Sequence, residues 1–341
     1  MTGLTKKKLF LIIMFLGITS LISEACAINI HYFGSAAVAP DFELNGRGRN
    51  IDSIAFWEAP DARQTLVLVT AKRNSLVEVW KYPFVGNEQK PITHPSFGKS
   101  PVNGIAVDQE TNLLYVAISK PASTVSVFNL PQEAFISSIN KKGWDLKSEP
   151  NLALLKLNNN LKKLYTSADD VVYIHNAKTG KYLGEFNPVR DVEAMAGDNF
   201  YQILYIPDEN DRTGVYAYDS EGSLFEKKGK NRFGNKNVFQ SDGEGILVYP
   251  ITINNKDTGE GFIVVADQRK HLTDFEFFDR QTWAHLGSLR IKGVSNTDGI
   301  ASTQRFLPDY PKGLFVAVND DRTLVFVGWK KILKAIGFFQ Q

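Results

Sequence analysis

Gly104-Ile-Ala-Val-Asp-Gln-Glu-Thr-Asn-Leu-Leu-Tyr-Val-Ala-Ile118 carries the pattern that sets the fold. A short apolar run opens after a glycine, polar residues make a turn, and a Leu-Tyr-Val-Ala run follows. Runs this short, rich in β-branched and aromatic residues and divided by Asp, Asn and Thr, favour paired strands over a helix. The unit returns along the chain. Its openings are Ser53-Ile-Ala-Phe56, Asn103-Gly-Ile-Ala106, Asn151-Leu-Ala-Leu154, Val192-Glu-Ala-Met195, Gly243-Glu-Gly-Ile246 and Thr297-Asp-Gly-Ile300. Taken at Ile54, Ile105, Ala153, Met195, Ile246 and Ile300, successive units are 51, 48, 42, 51 and 54 residues apart.

Six such units predict an all-β fold, a six-bladed β-propeller. A four-stranded sheet that is apolar on both faces is not stable alone. Six packed radially bury one another and leave only short edges. An N-terminal strand, Ile28–Tyr32 or Phe42–Leu44, is expected to complete the last blade. Near the C-terminus, Trp329, Ile332, Leu333 and Ile336 follow i, i+3, i+4, i+7 spacing, which suits one or two helical turns; a final strand fits as well.

The 341 residues are 43% hydrophobic and 22% charged, which excludes wholesale disorder and collagen-like structure. With 39 Lys+Arg against 37 Asp+Glu, there is no charge excess calling for nucleic acid. Lys6–Lys8, the apolar run Leu9–Ile22 and the small-residue site Ala25-Cys-Ala27 predict an export signal over residues 1–27. The apolar run falls short of the roughly 20 residues that span a bilayer, so no stable membrane insertion is expected after cleavage. An uncleaved anchor and lipidation at Cys26 are the alternatives. Residues 28–341 then form a single domain, read as a secreted or periplasmic monomer. Cleavage removes the only cysteine, so stability must come from packing or bound metal.

Acidic residues recur at the openings: Asp52, Glu193, Asp242 with Glu244, and Asp298, with Glu209 in the acidic turn Pro207–Asp211. In a propeller the first strand of each blade lines the central channel, so one end of those strands gathers residues from distant parts of the chain. Two carboxylates about 4 Å apart repel by about 4 kcal/mol at an effective dielectric near 20. Such a set calls for a cation. Oxygen ligands without matching His or Cys favour calcium. Taken singly, each Asp-Gly is an ordinary turn. His31, His94, His175, His271 and His285 show no metal spacing. No Gly-x-Ser-x-Gly elbow occurs, which argues against a serine triad. Lys227–Arg232 reads as a basic hairpin, and Arg269, after a strand, is a candidate phosphate contact.

Five stretches, in order and spacing, resemble the β-propeller phytases. They are Asp191–Asp198, Leu204–Glu209, Ser241–Ile246, Ser295–Ile300 and Asp309–Ala317; Asp52–Trp57 and Val69–Lys72 match more weakly. The resemblance implies a calcium-dependent phosphomonoester hydrolase of the 3-phytase type acting on phytate or a similar phosphorylated small molecule. It implies metal ligands at Asp52, Glu193, Glu209, Asp242, Glu244 and Asp298, with Glu193, Glu244 and Asp298 closest to catalysis. Lys72 matches a phosphate-binding lysine, and Lys120 stands where a further phosphate contact is expected. In such enzymes adjacent calcium ions activate a water that attacks phosphorus in line. The sequence departs from the family pattern at Ser53, where a second aspartate is usual, at Lys292, and at Val318-Asn319. Two other readings are a calcium-binding propeller without catalysis that takes a ligand at the channel mouth, and a structural propeller without metal.

Overall fold

Alternation of side chains along the middle strands of the blades, apolar to both sides, is what builds this molecule. The structure, a computed structural model, describes residues 30–338 apart from 49, 141–143, 145, 147–148, 169 and 210–211. The expected export signal lies outside the described residues.

Strands β1 (Gly34–Val38) and β2 (Phe42–Asn45) precede the first blade. Blade one holds β3 (Ile51–Trp57), β4 (Leu66–Ala71) and β5 (Leu76–Lys81). Blade two holds β6 (Val102–Asp108), β7 (Leu113–Ile118), β8 (Thr124–Asn129) and β9 (Ala134–Ile139). Blade three holds β10 (Leu152–Lys156), β11 (Lys162–Ala168), β12 (Val171–Asn176) and β13 (Tyr182–Phe186). Blade four holds β14 (Ala196–Asp198), β15 (Ile203–Pro207), β16 (Val215–Tyr218) and β17 (Arg232–Phe233). Blade five holds β18 (Asp242–Ile253), β19 (Lys256–Arg269), β20 (Leu272–Asp279) and β21 (His285–Ile291). Blade six holds β22 (Ile300–Thr303), β23 (Leu314–Asn319) and β24 (Thr323–Gly328). The six sheets form a six-bladed propeller. Neighbouring inner strands touch in the order β3, β6, β10, β14, β18, β22 and back to β3, so the ring is closed.

Strand β4 shows the packing rule. Leu66 and Leu68 enter the core shared with blade two, whereas Val67, Val69 and Ala71 enter the core shared with blade six. Strand β7 does the same: Leu114, Val116 and Ile118 face blade one, and Tyr115 and Ala117 face blade three. Each fully buried Val or Leu contributes about 1.5–3 kcal/mol. Because a blade's two faces belong to different cores, no blade can keep its stability without both neighbours.

Closure uses the N-terminal segment. Strand β2 pairs antiparallel with β24, in the register Phe42↔Phe326, and the two rings stack at 4.5 Å. This is the expected Phe42–Leu44 strand. Residues 30–32 are not a strand, and β1 instead adds parallel to β21 of blade five. Blade one has three strands, with the place of the fourth taken by a segment joined through the bridges Leu76–Ser96 and Val79–Thr93. The C-terminal spacing resolves as a helix, α1 (Trp329–Ala335), with Trp329, Ile332 and Leu333 buried between blades five and six.

The inner strands crowd one another near the axis. A Cβ on Gly104 would lie 2.6 Å from the Leu152 nitrogen of blade three, and one on Gly299 would collide with the Asp52 carbonyl of blade one. Gly299→Ala is therefore expected to cost roughly 1–3 kcal/mol through overpacking, read as a lower urea midpoint. An unchanged midpoint would mean that the blades separate freely at this seam.

Candidate functional site

The inner strands begin irregularly, and that irregularity aims the polar residues. Pairing slips between Ile51 and Ile54 in β3, between Val102 and Ile105 in β6, and between Gly243 and Ile246 in β18. A bulge of this kind turns a side chain out of the pleat. Here the slipped positions include Asp52, Asn103 and Glu244. Glu149 and Asn151 precede β10, Glu193 precedes β14 and Asp298 precedes β22. These seven side chains, with at least one from every blade, line a single cavity at one end of the channel.

Two of the lining residues, Glu193 and Glu244, also meet Glu209 from the turn after β15: one carboxylate oxygen of each lies within 4.8 Å of the others. Burial pushes the Glu244 carboxyl up to about 10, with help from Glu193, Asp298 and Glu209. Burial, then Glu193, raises Glu209 to about 7. Burial and Asp52 raise Asp298 to about 8. Burial also raises Glu193. In each case removal from water among like charges disfavours the ionised form. Glu193 and Glu244 hydrogen-bond each other, as do Glu193 and Glu209.

Asp298 accepts from Gln268 Nε2 and is hydrogen-bonded to Asp321. Asn151 Nδ2 donates to the Glu193 carbonyl at 2.5 Å, which fixes the segment carrying that carboxylate. Asn103 is 2% exposed, and its Oδ1 accepts from Ser119 Oγ at 2.8 Å while its Nδ2 is buried without a partner among the described residues. An unsatisfied amide beside several oxygen donors suits a site that takes a ligand. The donor set is oxygen only, which fits a hard cation such as calcium.

Not every expected residue joins this cavity. Asp242 stands to one side: its pKa is raised by burial and by Asp267 and Asp208. Lys72 Nζ lies 2.9 Å from Asp52 Oδ2 and 2.7 Å from Glu149 Oε1, so its charge is engaged inside the centre. Arg269 is paired with Asp267 and Asp274, at 2.8 Å to each. Those two carboxylates and Glu276 form a second buried cluster whose oxygens are met by Arg269, Arg290, Ser288, His285 and backbone N–H groups. Lys120 is exposed, and its backbone N–H donates to the Leu146 carbonyl.

Three contributors were not anticipated from sequence: Asn103, Asn151 and Glu149. The asparagines hold the same register as the acidic openings, and reading that register for every polar residue finds them. Glu149 lies outside it and carries no such signal.

A sequence model of the family described as Phytase matches residues 61–325, well over half of the chain. Among solved structures, a chain from "Crystal Structure of Mitotic Checkpoint Complex" is 10% identical with a TM-score of 0.51, the match covering 89% of this chain and 97% of that one. The Pan2 WD40 domain of Neurospora crassa is 13% identical with a TM-score of 0.49, at 80% and 73% coverage. At such identity the first of these likenesses concerns the fold alone. No helix among the described residues is long and apolar enough to cross a membrane.

Proposed function

This chain belongs to the phytase family, and from that premise we propose that it is an exported, calcium-dependent phosphomonoester hydrolase acting on phytate or a similar phosphorylated small molecule. The observation that carries the proposal is the meeting of Glu193, Glu209 and Glu244 within 4.8 Å, with Glu193 and Glu244 lining a cavity that Asp52 and Asp298 also line. When bound, a divalent cation would screen the substrate's negative charge and acidify a coordinated water. The protein's own groups prepare for it. Glu193, Glu209 and Glu244 supply the hard oxygen donors, and Asp298 and Asp52 line the same cavity as Glu193 and Glu244. Glu244, buried beside Glu193, Asp298 and Glu209, would hold such a cation through a carboxylate oxygen. Asp298 is oriented by Gln268.

A second reading, a calcium-binding propeller without turnover, draws support from two features. Lys72 is tied to Asp52 and Glu149, and Ser53 donates its hydroxyl to Asp52 at 3.1 Å where the family pattern has a second acid. The assay separates the readings. Purified protein with about millimolar calcium, well above the Kd of most calcium sites, is expected to release phosphate from phytate and to stop when the calcium is chelated. A calcium-induced rise in melting temperature with no release from phytate or any simple phosphomonoester leaves the second reading. In that case Ser53→Asp is expected to restore turnover.

A further inference from the structure

We propose that Lys72 is a tethered cation occupying the Asp52–Glu149 side of the acidic centre, so that the chain takes a single divalent ion, at Glu193, Glu209 and Glu244. This rests on the reading that the centre binds calcium.

The Lys72 ammonium is held by one oxygen from blade one and one from the loop before β10, at 2.9 and 2.7 Å. Calcium sits 2.3–2.6 Å from its oxygen ligands. An ion placed between the same two oxygens would need them to close in by only a few tenths of an ångström. Ion and ammonium therefore compete for one place.

The main chain from which the Lys72 side chain reaches in is fixed. The Lys72 backbone N–H donates to the Asn50 carbonyl at 2.9 Å, and its carbonyl accepts from Ser75 at 3.2 Å, which fixes the short 3-10 turn at the end of β4. The remaining oxygen of Asp52 is also spoken for, since it accepts the Ser53 hydroxyl. Asp52 thus has both oxygens satisfied by its own chain.

The other side of the cavity differs. Glu193, Glu209 and Glu244 have no lysine or arginine ion-paired to them among the described residues. The partnerless Asn103 amide lines the same cavity. A side-chain amide presents either its oxygen or its nitrogen with the same shape. Rotated, Asn103 would offer an oxygen to an ion and keep Ser119 as a partner.

The test is calcium stoichiometry, by titration calorimetry on the chelator-treated full chain with calcium chloride. The expected result is one ion per wild-type chain. Lys72→Met is expected to bind two ions, to melt at a lower temperature without calcium and to regain the loss when calcium is added. Lys72→Arg is expected to stay at one ion. Glu149→Gln, which removes one anchor of Lys72 and one negative charge acting on Glu193, is expected to keep one ion with a loss of affinity below the 10–100-fold typical of losing a supporting ligand contact. Two ions on the wild-type chain, no calcium binding at all, an unchanged single ion in Lys72→Met, or a hundredfold loss in Glu149→Gln each overturns the assignment. If Lys72→Met does not fold, the wild-type count and Glu149→Gln still decide. One bound ion with no phosphate release removes the hydrolytic reading and leaves the tethered cation standing. Phytate hydrolysis with two ions bound does the reverse.

Discussion

Glu244→Gln is expected to lower calcium-dependent phosphate release by roughly 10²–10³-fold, the range seen when a buried electrostatic or metal-supporting group is removed from an active site. At the same time the calcium-free protein is expected to melt at a higher temperature than wild type. Both follow from one cause. Glu244 is 8% exposed and lies against Glu193, Asp298 and Glu209. As a carboxylate it is unstable there without a cation; as an amide it keeps its shape and loses the repulsion. The substitution exchanges cation affinity for stability of the empty centre. Phosphate assays and thermal melts with and without calcium read both effects. Wild-type turnover, or an undiminished thermal shift on adding calcium, would remove Glu244 from the metal centre.

The second large effect concerns pH. Burial and neighbouring acids raise Glu244 to about 10, Asp298 to about 8 and Glu209 to about 7. In the unfolded chain such groups titrate near 4. Below that value both states are protonated and this contribution to stability is fully present. Above it the unfolded chain sheds protons that the folded chain retains, so stability falls as pH rises through 7 toward 10. Allowing about one to two kcal/mol per carboxylate after relaxation and water entry, the calcium-free protein is expected to melt roughly 5–10 °C lower at about pH 9 than at about pH 6. Saturating calcium should flatten or reverse the slope, because the ion displaces those protons and binds more tightly as they leave. A calcium-free protein that grows more stable over the same interval would place the glutamates in solvent.

Much of this architecture was legible along the chain. Units near 50 residues and the two-residue alternation of Leu66–Ala71 require sheets apolar on both faces, and only a closed stack of them satisfies both. That an N-terminal strand closes the ring was legible too, since an apolar β segment left over before the first unit has one open edge to fill; the choice of Phe42–Leu44 over Ile28–Tyr32 came from the structure. The addition of β1 to blade five was not: Gly34–Val38 is short and half exposed, and nothing in its pattern names a partner. Glu193, Glu244 and Asp298 could be read as a set because each opens a unit, and units converge at the axis.

Residue identity and spacing determined the six-fold repeat, the all-β class and the acidic character of one end of the inner strands, because these depend on local periodicity that every copy of the unit repeats. Tertiary structure alone decided that Lys72 points inward between Asp52 and Glu149, that Arg269 is held by Asp267 and Asp274, and that Asp242 stands aside while Asn103 enters. Those outcomes turn on distances of a few ångströms between blades far apart in the chain, where a single slipped pair in β3, β6 or β18 redirects a charge. A linear pattern fixes which face a side chain leaves from; the neighbour it meets is set by the closing of the ring.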